Sequence, residues 1–390
     1  MKKYLLAVVL ILLFCGITCS SVVTVFADNE QHTQGDENSV SETIEQLLDG
    51  IDLSELERFY NEYISSGNLL ELIKKNLNGQ AIDYYELFNE GLQLLKTNFL
   101  SYLSMFTSII GIIIIGGLLS TISPQTFNTG EIVHSVCYLS IALIIFAEVS
   151  SVLNEVGKTI ESINKQTQTA FPLLITLVSI SGATSSAEIY KPTCVFLSGG
   201  IMNIISSFLF PLLTAICVLT IVSNLSKKFS LTKLVSLGYD IFKWVMGGSV
   251  AIFSIFTALN AITASVSDGV SLKALKYAVG SSVPIIGGFA KEGIDVFLAA
   301  GLLIKNSVGG VFLFILFFAL LTPLIKVIVL SLTLKFLSAI AQPITDVRIS
   351  DLISGLSKLV SYLSAVMITV FILYAVIIIL LICTQSAVII

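Results

Sequence analysis

Residues 278–288 read Ala278-Val279-Gly280-Ser281-Ser282-Val283-Pro284-Ile285-Ile286-Gly287-Gly288, and they open the stretch 277–343 that decides the fold. Lys291, Glu292 and Asp295 come next, then a short apolar run, then Lys305-Asn306-Ser307-Val308-Gly309-Gly310. A long apolar helix follows, interrupted by Thr322-Pro323, carrying Lys326 and Lys335 and ending at Gln342-Pro343. Hydropathy puts most of this in a membrane, yet it holds prolines, paired glycines and ionic side chains. Charge at membrane depth is costly and marks a function or a protein-lined interior. Helix breakers there are tolerated only where protein or a cavity surrounds the freed backbone.

Outward from that stretch, the composition fixes the class. The chain is 55% hydrophobic and 12% charged, with a mean hydropathy of +0.93, whereas a soluble domain carries about 25% charge. The fold expected is all-α: a polytopic helical membrane protein. The net charge of −5 hides an asymmetry, because residues 28–98 hold 15 of the 26 acids and four of the 21 Lys and Arg residues. An acidic water-facing segment thus precedes a mildly basic membrane domain. No basic patch points to nucleic acid. The six cysteines show no Cys-x-x-Cys spacing, and His32 and His134 stand far apart. Cysteines so placed serve as small hydrophobes, and neither a metal nor another cofactor is expected.

In chain order, residues 1–27 read as a signal peptide: Lys2 and Lys3, an apolar core, then Val25-Phe26-Ala27 with cleavage after Ala27. An uncleaved anchor is the alternative. Residues 28–98 form an acidic extracytosolic segment of short helices, with Ser54 and Glu57 spaced like a capping box. This segment is either a cap on the membrane domain or a docking surface. Residues 99–390 form the polytopic domain, with spans expected at 99–122, 132–153, 193–222 and 245–266, along the helix after Lys305, and at 362–383, since about 20 apolar residues cross the hydrocarbon layer. Pro211 is expected to kink the third span. Residues 154–169 and 224–243 read as interfacial helices. Residues 171–187 and 284–304 read as broken or re-entrant segments facing the exterior. This arrangement puts Lys227, Lys228, Lys233, Lys243, Arg348 and Lys358 on the cytosolic side, as basic residues prefer, and leaves both chain ends outside.

No phosphate loop, zinc-helix motif or nucleophile elbow occurs. No enzymatic activity is expected, and energy for any work must come from a gradient or a partner. The candidates for a transport path are Pro284, Gly287, Gly288, Lys291, Glu292, Asp295, Lys305, Asn306, Gly309, Pro323 and Lys326. Broken helices of this kind present freed backbone groups to a substrate in transporters. The competing reading makes the charges internal ion pairs or snorkelling side chains, and the paired glycines packing positions.

Lys276-Tyr277-Ala278-Val279-Gly280 through Gly288, Lys305-Asn306-Ser307-Val308-Gly309, Pro323-Leu324-Ile325-Lys326 and Gln342-Pro343 resemble the pattern of the stage III sporulation protein AE family of endospore-forming bacteria. The resemblance implies a permease-like or channel subunit of the apparatus linking mother cell and forespore. It implies a place in the mother-cell membrane around the forespore, with a cytosolic secretion-type ATPase and ring-forming intermembrane proteins as partners. A stand-alone secondary transporter of a small solute and a structural anchor for the ring proteins are the alternatives.

Overall fold

The computed structural model describes residues 43–44, 46–48, 50–63, 69–77, 84–122, 129–225, 231–282 and 287–384. Among the described residues, helical residues 43–44 and 46–48 and two short helices, α1 (Ser54–Tyr63) and α2 (Leu69–Leu77), precede six long helices. These are α3 (Tyr84–Ile122), α4 (Thr129–Ile180), α5 (Thr184–Leu225), α6 (Thr232–Ser282), α7 (Gly287–Ala341) and α8 (Val347–Cys383). Each of the six is long and apolar enough to cross a membrane. The described residues contain no strand, as the apolar composition and helical periodicity lead one to expect.

The long helices alternate in direction. At one end Gly117 of α3 abuts Ile344, Tyr138 of α4 donates to the Ile221 carbonyl at 2.5 Å, and Gly355 of α8 abuts Thr220. At the other end Gly301 of α7 abuts Ile180, and Gly309 abuts Ile382. The starts of α6 and α8, with Lys233, Lys243, Arg348 and Lys358, therefore share the first, basic end. Helices α1 and α2 cap the opposite end with residue 384. That relative placement is the one the lysine distribution leads one to expect.

α1 and α2 form the cap by burying Leu56, Phe59, Tyr60, Leu69 and Ile73, each at 2% exposure or less. The Phe59 ring meets Phe312 of α7 at 5.6 Å, and Asn76 Nδ2 donates to the Ser307 carbonyl at 3.3 Å. Five such side chains contribute on the order of 10 kcal/mol of burial, so the cap is a fixed part of the bundle. Its first helix is capped differently from the Ser54–Glu57 expectation: the Ser54 N–H donates to Asp52 Oδ1 at 3.0 Å.

The helices are longer than the sequence pattern suggests. The expected interfacial helix 154–169 is the middle of α4, whose 52 residues extend about 78 Å. Val156, Ile160 and Ile163 are buried and Lys158, Glu161 and Lys165 exposed. One apolar stripe suits a membrane surface or a neighbouring helix equally, and here the neighbours are protein. Residues 171–187 are likewise no separate piece. They are the end of α4, a turn at 181–183 with Gly182 at φ 90°, and the start of α5. A left-handed residue ends a helix, and glycine adopts it at least cost. Residues 232–243 are the first turns of α6, and residues 287–304 run on into the apolar part of α7 without a break. α3 carries the acidic segment straight into the first apolar span. Near Pro211, α5 widens into a π turn, Ile205–Leu209, which makes room for the carbonyl that proline leaves without a donor.

Candidate functional site: the polar face of helices α4 and α5

Of the sequence-predicted path residues, Pro284 lies outside the described residues, as does the cleavage site at Ala27. Gly287, Gly288, Lys291, Glu292 and Asp295 form the first turns of α7, and their side chains lie outside the description. The rest divide between two places on α7. Lys305 is 1% exposed, and its ammonium donates to the Thr384 carbonyl at 2.5 Å. A cation at that point complements the negative C-terminal end of the α8 dipole. Asn306 and Ser307 beside it are buried, and Asn306 Oδ1 and Ser307 Oγ have no hydrogen-bond partner among the described residues. Gly309 admits Ile382 so closely that an added Cβ would stand 2.5 Å from Ile382 Cγ1. These residues join α7 to the end of α8.

Pro323 and Lys326 lie elsewhere. Twenty-one residues of helix, about 31 Å, separate Lys305 from Lys326. Lys326 Nζ pairs with Glu155 Oε1 of α4 at 2.6 Å, with side chains 33% and 39% exposed. The described candidates are thus two fastenings, α7 to α8 and α7 to α4, and do not converge on one spot.

A different set of polar residues does converge. Along α4, Asn154, Lys158, Glu161, Lys165 and Gln168 are exposed on one side. On the adjacent stretch of α5, Gly199, Asn203, Ser206 and Ser207 are exposed, interspersed with exposed Val195, Ile204 and Phe208. Gln168 Nε2 donates to the Ser198 carbonyl at 3.4 Å, which joins the two faces. Asn203 Oδ1 accepts from Ser207 Oγ at 2.8 Å. π turns at Phe196–Ile201 and Ile205–Leu209 flank Asn203, and π turns inside α-helices often occur at functional positions. The cap touches the rim, where Glu62 accepts from Ser162 Oγ at 3.0 Å and from Gln166 Nε2.

The level of this face is what matters. Asn164 Oδ1 accepts from the Tyr374 hydroxyl at 2.6 Å, and Tyr374 is near the middle of the apolar run 362–383. Glu155 meets Lys326 inside the apolar window Val296–Ala341. On α5, Thr193 accepts from Asn260 Nδ2 at 2.6 Å and Phe196 packs on Phe256 at 5.4 Å, both within the apolar run of α6. The polar face therefore lies beside the apolar middles of α6, α7 and α8. In hydrocarbon, Lys158, Glu161 and Lys165 would cost about 3 kcal/mol each. That cost disfavours a lipid-facing arrangement and favours water or a polar partner against the face.

The sequence carried a weak signal for it. The polar run 154–169 and the cluster from Ser198 to Ser207 are visible, but nothing in either shows that they are neighbours or how deep they lie.

The profile of the family described as Stage III sporulation protein AE matches residues 67–386. The chain belongs to the stage III sporulation protein AE family. Over 375 residues it is 24% identical to Stage III sporulation protein AE of Bacillus subtilis (strain 168), covering 92% of each chain. No solved structure matches. The family match takes in α2 through α8, so both halves of the polar face and both α7 fastenings belong to the part shared with the stage III sporulation protein AE family.

Proposed function

We propose that this chain is a permease-like, channel-type membrane subunit of the mother cell–forespore transport apparatus required for endospore formation. Its polar α4–α5 face is one wall of the conduit. The single observation that carries this reading is the position of Lys158, Glu161, Lys165 and Asn203 level with the apolar middles of α6, α7 and α8. A face that stays polar at that depth, in a bundle whose other exposed surfaces are largely apolar, fits the passage of something polar along it. Other subunits close the remaining wall, because the face is open on one side.

The working place is the mother-cell membrane around the forespore. The basic end faces the cytosol, in keeping with the preference of lysines for that side, and the cap faces the intermembrane space. The partners are a cytosolic secretion-type ATPase, which supplies the drive, and ring-forming proteins that meet the cap. No catalytic step falls to this chain.

A second reading, a structural anchor for the ring proteins, is favoured by the fastening of Lys305 and Lys326 into helix contacts. One experiment separates the two. The variant Lys158→Leu/Glu161→Leu/Lys165→Leu should reduce heat-resistant spore yield at least tenfold, with protein level and co-purification of the ring and ATPase subunits unchanged. Normal spore yield in that variant would leave the anchor. Solute uptake by the purified protein alone in liposomes would favour a stand-alone transporter instead.

A further inference from the structure

A second cluster lies between α6 and α8 at the basic end, and the conduit reading makes no use of it. Tyr239 of α6 and Tyr362 of α8 stack with ring centroids 4.8 Å apart, and Phe242 meets Tyr362 edge-on at 5.2 Å. The Tyr239 hydroxyl donates to the Gly355 carbonyl at 3.3 Å, which fixes the pair between the helices. Two lysines flank the stack. Lys358 Nζ stands 4.5 Å from the centre of the Tyr239 ring. Lys243 Nζ is 3.0 Å from Asp240 Oδ1 and within reach of the Tyr362 hydroxyl. The lysine heads are open to the surroundings: the Lys243 side chain is 54% exposed, and Lys358 is exposed.

The neighbours of the cluster are apolar and outward-facing. Trp244 is 82% exposed, Leu237 54% and Ile241 37%. Tryptophan of this kind marks the level where headgroups meet acyl chains. The apolar run of α6 begins at Val245 and that of α8 at Tyr362, so both lysines sit at this boundary. Basic pockets between spanning helices on the cytosolic side hold phospholipid headgroups.

We propose that the α6–α8 face at the basic end binds an acidic phospholipid by its phosphodiester headgroup. Lys243, Lys358 and the Tyr362 hydroxyl supply the donors, and the exposed α6 surface that runs from Trp244 into the apolar run, with Ala251 and Ile252, receives an acyl chain. The charge of the cluster favours this class of ligand. Lys243 and Lys358 against Asp240 leave one net positive charge. Further out on the same helices, exposed Lys233 and Asp351 offset each other. A phosphodiester carries one negative charge and is balanced, whereas the dianion of a phosphate monoester is left with an excess. The apolar surface beside the lysines favours a lipid over a free anion.

The test uses the full-length protein purified in detergent, with native mass spectrometry of the lipid retained after loading with equal phosphatidylglycerol and phosphatidylcholine. Phosphatidylglycerol should be retained preferentially, and Lys243→Gln or Lys358→Gln should each lower that preference about fivefold, the worth of one lysine at an anionic surface. Lys233→Gln, outside the cluster, should leave it unchanged. The double variant Lys243→Gln/Lys358→Gln should abolish the preference. Gel filtration reports whether it is folded, and the single variants carry the test if it is not. An undiminished preference in the single variants would overturn the proposal. So would an equal loss in Lys233→Gln, which would mean a diffuse basic surface. Displacement of the lipid by an equal concentration of inorganic phosphate would also overturn it, in favour of a soluble-anion site.

Discussion

Lys305 shows how a residue that reads as functional can be spent on structure. It sits in a largely apolar stretch, and hydropathy alone makes it a path residue. In the folded chain it is buried against the Thr384 carbonyl. Lys305→Met would leave that carbonyl without its donor, at a cost of about 2 kcal/mol. Thermal unfolding in detergent should show a clear fall in midpoint. Lys326→Met, which breaks a partly exposed pair, should cost about 1 kcal/mol or less and shift the midpoint little. A Lys305→Met protein as stable as wild type yet unable to support sporulation would return Lys305 to the transport path. The glycines teach the same lesson. Gly309 and Gly301 admit neighbouring side chains, while Gly199, Gly247 and Gly248 face open space. The motif Gly-Gly announces that close packing is possible; which glycine is used depends on helix rotation, and a single sequence does not contain that.

At the scale of elements, what the sequence conveyed well was where polar and apolar runs alternate. A break within 171–187, the six apolar spans and the shared end for residues 231–243 and 342–358 were all legible, because each rests on local chemistry. Helix continuity was not. Residues 154–169 and 287–304 read as separate pieces because charge interrupts hydropathy, yet charge on one side of a helix does not interrupt its hydrogen bonds. For 154–169, packing against α7, α8 and the cap decides the matter, and those partners are distant in sequence. The start of α1 makes a related point. Asp52, not the Ser54–Glu57 spacing, provides the cap, and hydrogen bonds from Ser54 hold its carboxyl below the ordinary value of 3.8. A depressed pKa stabilises the fold above the ordinary value, and the effect disappears as pH falls through the lowered one. A spin label at Arg58→Cys should therefore gain mobility as the pH drops below about 4. The added substitution Asp52→Asn, which caps without ionising, should remove that step. A step that persists with asparagine would assign it to another group.

The molecule as a whole combines two surfaces that the bilayer treats differently. On the side of α6, α7 and α8, long apolar runs occupy the middle of the bundle. On the side of α4 and α5, charged and amide side chains occupy the same level. Neither surface is unusual alone, and the depth match was invisible in the sequence because it is set by pairs such as Asn164–Tyr374 and Glu155–Lys326, 210 and 171 residues apart. The conduit requires the α4–α5 face to be wet at membrane depth. Its most direct test is labelling with a membrane-impermeant thiol reagent in sporulating cells, after removal of the native cysteines. Single substitutions Lys158→Cys, Glu161→Cys, Lys165→Cys and Asn203→Cys would be compared with Ile255→Cys on the apolar side of α6. A wet face gives rapid labelling at all four face positions and none at 255; face positions as unreactive as 255 would mean that the face is dry and the conduit absent.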